Sequence, residues 1–489
     1  MARRAGRPAR GRGLRADLSP RGGGDARLTH ALVVGGGFRG IATAWLLRRA
    51  GHAVTLVEAG SGLGGFMRSI AWDGFWLDPG CHVFDNSDDA QTEAMLDLLG
   101  EAWHPIAVEY ASFLSDRPSH GSAVVRLDDL GAAESARIVE ECLAAQGASR
   151  GEPRDLEQLF LARYGPRAAA HLCAAARKTF GLEARELGAQ VADLGIFGRV
   201  GIAPDEQALE LKRDPRLDAI VAARPGADRL RFYRAKAGKH DFRNFYPTGA
   251  GIGEFGARAA RRLIDLGVDV RVSHELRGLE IDGACARLEL HDAARACTTS
   301  LSGNHVYWAL PPEELARRLP DAPELASHVR AVALLLYYFA IPQQDAGELS
   351  YVNDFRPGTR VFRASCPGRY GLGNCPPGRS YVCCEVPTER DSAAWHAVED
   401  AAAAVFEEAR ELGLHRARAP LATKVLRVPG AMRLPAPTYA AARRELEGFL
   451  AGQPRLTCDL APALTKSQIW GSALAAVARH GAPARALAA

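Results

Sequence analysis

Gly35-Gly36-Gly37-Phe38-Arg39-Gly40 has the spacing G-x-G-x-x-G, and its neighbours supply the setting that a dinucleotide site needs. The apolar run Ala31 to Gly35 reads as a strand, Phe38 to Arg49 as a helix, and Ala53 to Glu58 as a second strand. In such a β-α-β unit Gly35 permits the tight turn, Gly37 lets the backbone approach a pyrophosphate, and Gly40 lets the helix pack closely on the strand. The helix start at Phe38, Arg39 and Gly40 offers free N–H groups and a partial positive charge to phosphates. Glu58 ends the second strand, where a carboxylate accepts from ribose hydroxyls. An acid at this place argues against a 2′-phosphate and leaves FAD or NAD.

The elements that must position this unit extend through the chain. Residues 129–190 are rich in Ala, Leu, Glu and Arg and read as several helices. A loop rich in Gly precedes a helix over Glu254 to Leu266, a strand over Val268 to Val272 and another over Val306 to Leu310. The stretch 331–388 reads mainly as β, with strands at Val332 to Ile341, Arg360 to Ala364 and Ser380 to Val386. Helices return at Ala393 to Leu412, Thr438 to Leu450 and Ser467 to Arg479. Strands and helices alternate at both ends around an α-plus-β middle. This predicts an α/β fold: a Rossmann-like nucleotide-binding domain built from discontinuous segments, with an inserted α+β substrate domain. The expected segments are 28–110, 236–312 and 421–482 for the first domain, and 111–235 and 313–420 for the second.

Composition narrows the function classes. A chain of 489 residues with 47% hydrophobic and 24% charged positions has enough apolar surface for globular domains. The formal charge of +4 comes from the first 27 residues, which hold eight arginines against Asp17 and Asp25 and read as a disordered basic tail. The remainder carries no basic footprint for nucleic acid. The apolar run Ala331 to Ile341 is far shorter than the roughly 20 residues of a spanning helix and reads as a buried strand. No apolar segment follows Arg3-Arg4 as a secretory signal would require, so the expected location is cytoplasmic, with no membrane partner. Ten scattered cysteines without a C-x-x-C pair are expected as free thiols, with no metal site. No nucleophile elbow, Walker loop or H-E-x-x-H helix supports a hydrolase or ATPase.

Farther along, Glu58-Ala-Gly-Ser-Gly-Leu-Gly64-Gly65-Phe-Met-Arg68-Ser69 resembles the second glycine motif of the flavin-containing amine oxidase superfamily. That superfamily includes protoporphyrinogen oxidases, phytoene desaturases and UDP-galactopyranose mutases. The resemblance implies FAD, with Gly64 and Gly65 beside its diphosphate and Arg68 helping to neutralise it. Asp73-Gly-Phe-Trp-Leu-Asp78-Pro-Gly80-Cys-His82-Val-Phe84 is similar to the segment that passes the flavin ring, and nominates His82 as the residue beside the ring. Arg163-Tyr-Gly165 and Arg177 to Leu187 resemble the helical substrate-domain motif. Leu276 falls in the segment whose backbone reads adenine in relatives. Cys458-Asp459-Leu460 stands where relatives carry Gly-Arg or Gly-Asp, so Asp459 is expected at the ribityl chain. The helix opening at Ser467 and Gln468 is expected to face the ring. Arg199 and Arg363 resemble the pair that clamps a sugar diphosphate in mutases. Phe180, Leu434 and Leu464 stand where mutases hold uridine and the sugar diphosphate with tyrosines and a tryptophan, a departure from that pattern.

The function that follows is that of an FAD-dependent oxidoreductase, taking a hydride from a small organic substrate onto flavin N5. One alternative is a mutase-like isomerase in which reduced flavin attacks a nucleotide sugar. Another is a flavoprotein-like scaffold without turnover. The expected partner is a small molecule, and the sequence leaves oligomeric state open.

Overall fold

His30–Val34 has a row of apolar side chains, four of five residues buried, and it lies at the centre of a five-stranded sheet. The computed structural model describes residues 29–147, 151–224, 226, 240–283 and 285–479; the basic tail at 1–27 lies outside them. The sheet runs Asp269–Arg271, Ala53–Val57, His30–Val34, His305–Trp308, Leu456–Cys458, and every pairing is parallel. A parallel sheet covered on both faces accounts for the unbroken apolar runs of its central strands. Its strands come from three stretches of chain far apart in sequence.

Helices Phe38–Arg49, Gly253–Asp265 and Lys466–Ala478 cover one face through Ile41, Trp45, Phe255, Leu263 and Trp470. The Trp45 and Trp470 rings meet at 6.0 Å, which ties the last helix to the first. A three-stranded antiparallel sheet, His274–Ile281, Ala286–Asp292 and Cys297–Gly303, covers the other face, packing Leu276, Leu288 and Leu290 on Leu32, Val34 and Val306.

The second large sheet has seven strands, in the order Ala422–Pro435, Val329–Pro342, Arg379–Thr388, Arg363–Ser365, Tyr351–Asp354, Tyr110–Phe113, Pro118–His120. The long strand at 329–342 shows why 331–341 is apolar throughout. Val332, Leu334, Leu336 and Tyr338 face the core of helices Ala132–Gln146, Leu156–Tyr164 and Pro166–Phe180, while Leu335, Tyr337, Phe339 and Ile341 face Phe406 of helix Ala402–Glu411. A period of two with both faces buried leaves no polar position.

Two elements depart from the sequence expectation. The helix expected over 393–412 is broken into Ala393–His396, a 3-10 turn and Ala402–Glu411. Arg427 draws the carbonyls of Trp395 and His396 to its guanidinium, at 2.6 and 3.0 Å, in place of helical donors. The strand Ala422–Pro435, in a stretch expected to begin the last segment of the first domain, is instead an edge of this second sheet, bulged around Pro429 and Gly430 where its register against 332–334 shifts.

Candidate active site

The turn after His30–Val34 is built by backbone bonds. Gly35 adopts φ +104° and donates its N–H to Val57 at 2.8 Å. A side chain at Gly40 would put Cβ 1.8 Å from the Gly35 carbonyl oxygen, so Gly40 is a packing glycine. Gly37 differs: a Cβ there would meet nothing closer than Gly65 Cα at 4.0 Å, so its open side is available to a ligand. The helix beginning at Phe38 has neither a side-chain cap nor an acidic residue in its first turn, which leaves the N–H groups of Phe38, Arg39 and Gly40 for an anion.

Glu58 braces this turn. Its Oε2 accepts from Gly36 N–H at 2.7 Å and its Oε1 from Gly60 N–H at 2.6 Å. Each oxygen retains a lone pair for a further donor. The second glycine loop lies directly on the first: Gly64 N–H donates to Gly36 O at 2.8 Å, with Gly64 and Gly65 at φ +121° and +56°. Arg68 is exposed beside them and donates to Ser61 Oγ at 3.2 Å. Ser273 and His274 donate to the carbonyls of Gly60 and Glu58, which brings the strand containing buried Leu276 against the Glu58 loop. Gly35, Gly37, Gly40, Glu58, Gly64, Gly65 and Arg68 therefore come together.

At the carboxyl end, Arg39 pairs with Asp459 at 2.7 Å and donates to Ser472 Oγ at 2.6 Å, joining the first and last segments of the chain. Gln468 stands in the first turn of the last helix, which begins at Lys466. Its Oε1 accepts from Thr465 N–H at 3.1 Å in a capping box, and its Nε2 donates to Asp193 O at 2.8 Å.

The segment from Asp78 to Asp85 runs away from this cradle. Asp78 is fully buried and accepts from Ser69 Oγ at 2.8 Å, Ile252 N–H at 3.0 Å and the Tyr246 hydroxyl. Burial raises its carboxyl to about 6 against the pull of those donors. His82 donates Nε2–H to the Pro79 carbonyl at 3.2 Å, because a carbonyl can only accept; Nδ1 is thereby left as an acceptor. Burial of the ring, followed by the charges of Lys466 and Arg363, pushes His82 down to about 3. Glu385, 2% exposed, receives Arg363 through Nε at 2.5 Å and Nη2 at 2.8 Å, and Cys81 N–H at 3.3 Å.

Next to this segment is a cavity of about 310 Å³. Val83, Asp85, Arg199, Arg243, Tyr110 and Tyr351 are among its walls. The two tyrosines face each other across paired strands, rings 5.2 Å apart and 2° from parallel. Arg199 lines the cavity, whereas Arg363 is outside the lining and turned to Glu385. Phe180 and Leu434 belong to the helical core.

Asp78, Glu385, Lys466, Arg243 and Tyr351 were not singled out from the sequence. Glu385 carried a signal, a single carboxylate in the apolar run Tyr381 to Val386. Lys466 immediately precedes the expected helix start; it donates to Val83 O at 3.0 Å and lies 5.4 Å from the Phe84 ring centroid.

Residues 33–99 match the model of the NAD(P)-binding Rossmann-like domain family. No curated protein matches the chain by sequence. Among solved structures, a reduced UDP-galactopyranose mutase is similar with TM-score 0.70 and 13% identity, covering 94% of this chain and 97% of that one. A protein described as a protoporphyrinogen oxidase from Exiguobacterium sp. 255-15 gives TM-score 0.64 and 15% identity over 92% and 98% of the two chains. A putrescine oxidase bound to putrescine gives 0.59 and 17% over 92% and 97%. At these identities the likeness is one of fold. No helix among the described residues is long and apolar enough to cross a membrane. With a Rossmann unit at its start and an architecture shared over nearly its whole length, the chain has the fold seen in these UDP-galactopyranose mutase, protoporphyrinogen oxidase and putrescine oxidase structures.

Proposed function

We propose that this protein is an FAD-dependent oxidoreductase that oxidises a small organic substrate held in the cavity beside His82. The observation that carries this reading is the continuity of one segment. Asp78 is tied to Ser69 next to the second glycine loop, and the same segment reaches the cavity wall at Val83 and Asp85.

The cradle fits a dinucleotide, because the space at Gly37 is open and the first helix is uncapped. Gly35, Gly37 and Gly40 shape the turn, and the N–H groups of Phe38, Arg39 and Gly40 would hold the pyrophosphate of FAD. Gly64, Gly65 and Arg68 would assist there, Glu58 would accept from ribose, and the backbone at Leu276 would serve the adenine. Arg39, through Asp459, and Gln468, through its capping box, hold the last helix in place. FAD bound there supplies a two-electron acceptor for a substrate hydride.

The remaining work falls to the chain. His82, held near 3, is neutral at pH 7 and acts as a hydrogen-bond acceptor through Nδ1 rather than as an acid. The positive charges of Arg363 and Lys466 favour negative charge developing on this side. The stacked tyrosines limit water on the cavity wall.

A mutase-like isomerase is the second reading, favoured by Arg199 at the cavity. Arg363 weighs against it, since a guanidinium bound through two nitrogens to Glu385 is a poor second clamp.

The visible spectrum of the purified protein tests the proposal. A flavin spectrum is expected that bleaches on anaerobic reduction and returns in air, with Glu58→Ala weakening FAD retention about tenfold, the equivalent of one charge-assisted hydrogen bond. A protein that stays colourless when given FAD would overturn it and bring the scaffold reading forward. Substrate returned with its redox state unchanged, after turnover that requires prior reduction, would favour the mutase.

A further inference from the structure

One row of the seven-stranded sheet is polar across four strands. Register places Ser112 opposite Asn353, Asn353 opposite Arg363, and Arg363 opposite Glu385. The other face of the same strands carries Ala111, Phe113, Val352, Ala364 and Cys384, all in the apolar core with Phe406. Ser112, Asn353 and Glu385 are buried, none more than 4% exposed. Polar groups so deep are costly unless they are held, so the partners of this row show what it is for.

Its two ends hold two different segments. Asn353 Nδ2 donates to the Ala123 carbonyl at 2.7 Å, and Ser122, Ala123 and Val124 are wall of the cavity. Glu385 accepts from the N–H of Cys81, the residue before His82, and its Oε1 stands 3.1 Å from where a Cβ on Gly80 would lie. Between these ends the row is open. Arg363 gives Nε and Nη2 to Glu385, while Nη1 has no hydrogen-bond partner among the described residues. Asn353 Oδ1 and Ser112 Oγ are buried and also lack one. An open acceptor and an open donor thus stand on directly opposed positions, where side chains of one face are neighbours and a single water can join them.

We infer that Asn353 is a positioning residue: through Ala123 on one side and Arg363 on the other, it holds the cavity wall in register with the segment that carries His82. A substrate in the cavity then meets a wall and a ring-side segment fixed to one rigid sheet. This rests on the proposed function only in placing the substrate in that cavity.

Hydrogen exchange of the protein as purified, read by mass spectrometry at peptides covering 121–126 and 79–84, tests the inference. Asn353→Leu has a similar volume and removes both the donor and the acceptor, so exchange should quicken at least about threefold in both peptides. Asn353→Asp loses the donor to Ala123 but keeps an acceptor for Arg363, so only 121–126 should quicken. This second variant also serves where Asn353→Leu does not fold. In the protein loaded with FAD, the visible circular dichroism of the flavin should change in Asn353→Leu and stay that of the parent in Asn353→Asp. Unchanged exchange, quickening of 121–126 alone in Asn353→Leu, or equal quickening of both peptides in Asn353→Asp would overturn the inference. Hydrogen exchange does not require a flavin. A colourless protein that shows the split between the two variants would therefore refute the oxidoreductase reading and keep Asn353 in this role, whereas a flavin-loaded protein without the split would refute the role alone.

Discussion

Gly35 to Gly40, Glu58, Gly64 and Gly65 lie within one short stretch and are joined by hydrogen bonds of the backbone to itself and to the Glu58 carboxylate. Asp85, Arg199, Arg243 and Tyr351 reach the cavity from four separate stretches, and their side chains form its wall. The cradle's shape therefore depends on the absence of side chains at set places, and the cavity's on their presence. A backbone site tolerates changes of side chain but no gain of Cβ where the packing is closed. A side-chain site keeps its fold through many changes and loses selectivity instead.

The largest effect should come from glycines inside the cradle. Gly40→Ala forces Cβ to within 1.8 Å of the Gly35 carbonyl oxygen, and should cost more than about 3 kcal/mol in urea unfolding or leave the protein insoluble. Gly37→Ala, facing open space, should stay within about 1 kcal/mol of the parent yet bind FAD more weakly. Equal destabilisation by the two would erase the distinction between packing and ligand-facing glycines.

On the other side, Glu385→Ala leaves Arg363 without its carboxylate and Cys81 N–H without an acceptor. Removing one member of a buried pair costs about 3–5 kcal/mol, and the 31% exposure of the Arg363 side chain places the expectation at the lower end. Thermal and urea unfolding measure it. A loss below about 1 kcal/mol would mean that water already shields the pair and that it does not organise the His82 segment.

A pH-dependent effect sits where the two regions join. Asp78, raised by burial to about 6 from 3.8, keeps a proton in the folded chain that the unfolded chain releases over that interval. The stability it contributes is complete below pH 3.8 and disappears as pH rises through 6, by about 3 kcal/mol at most. Urea unfolding of the parent and Asp78→Asn across pH 4–7 should show this downward slope in the parent only. Parallel profiles would remove Asp78 as the group responsible.

How much of this could be read beforehand follows from the same contrast. The strand, turn and helix around Gly35 and the acid at 58 were legible because their chemistry is local: each glycine serves a fixed step in one turn. The buried strand at 331–341 was legible for a similar reason, since both its faces are apolar. The edge strand 422–435 was not, because an edge needs no apolar alternation and tolerates Pro429. Lys466 was also hidden, and the lone carboxylate at Glu385 gave no sign of its partner, since a charged residue in a strand or at a helix start gains meaning only from what stands opposite.

The sequence by itself determined the β-α-β unit, the parallel sheet it seeds and the open cradle at its turn, because backbone sterics and hydrophobic period act over a few residues. Tertiary structure alone decided that Arg363 belongs to Glu385, that Arg39 is matched by Asp459, and that Arg199, Arg243 and the tyrosine pair enclose one cavity. Those relations join residues tens to hundreds of positions apart. Their energies depend on distance and burial, which exist only after the sheets have packed.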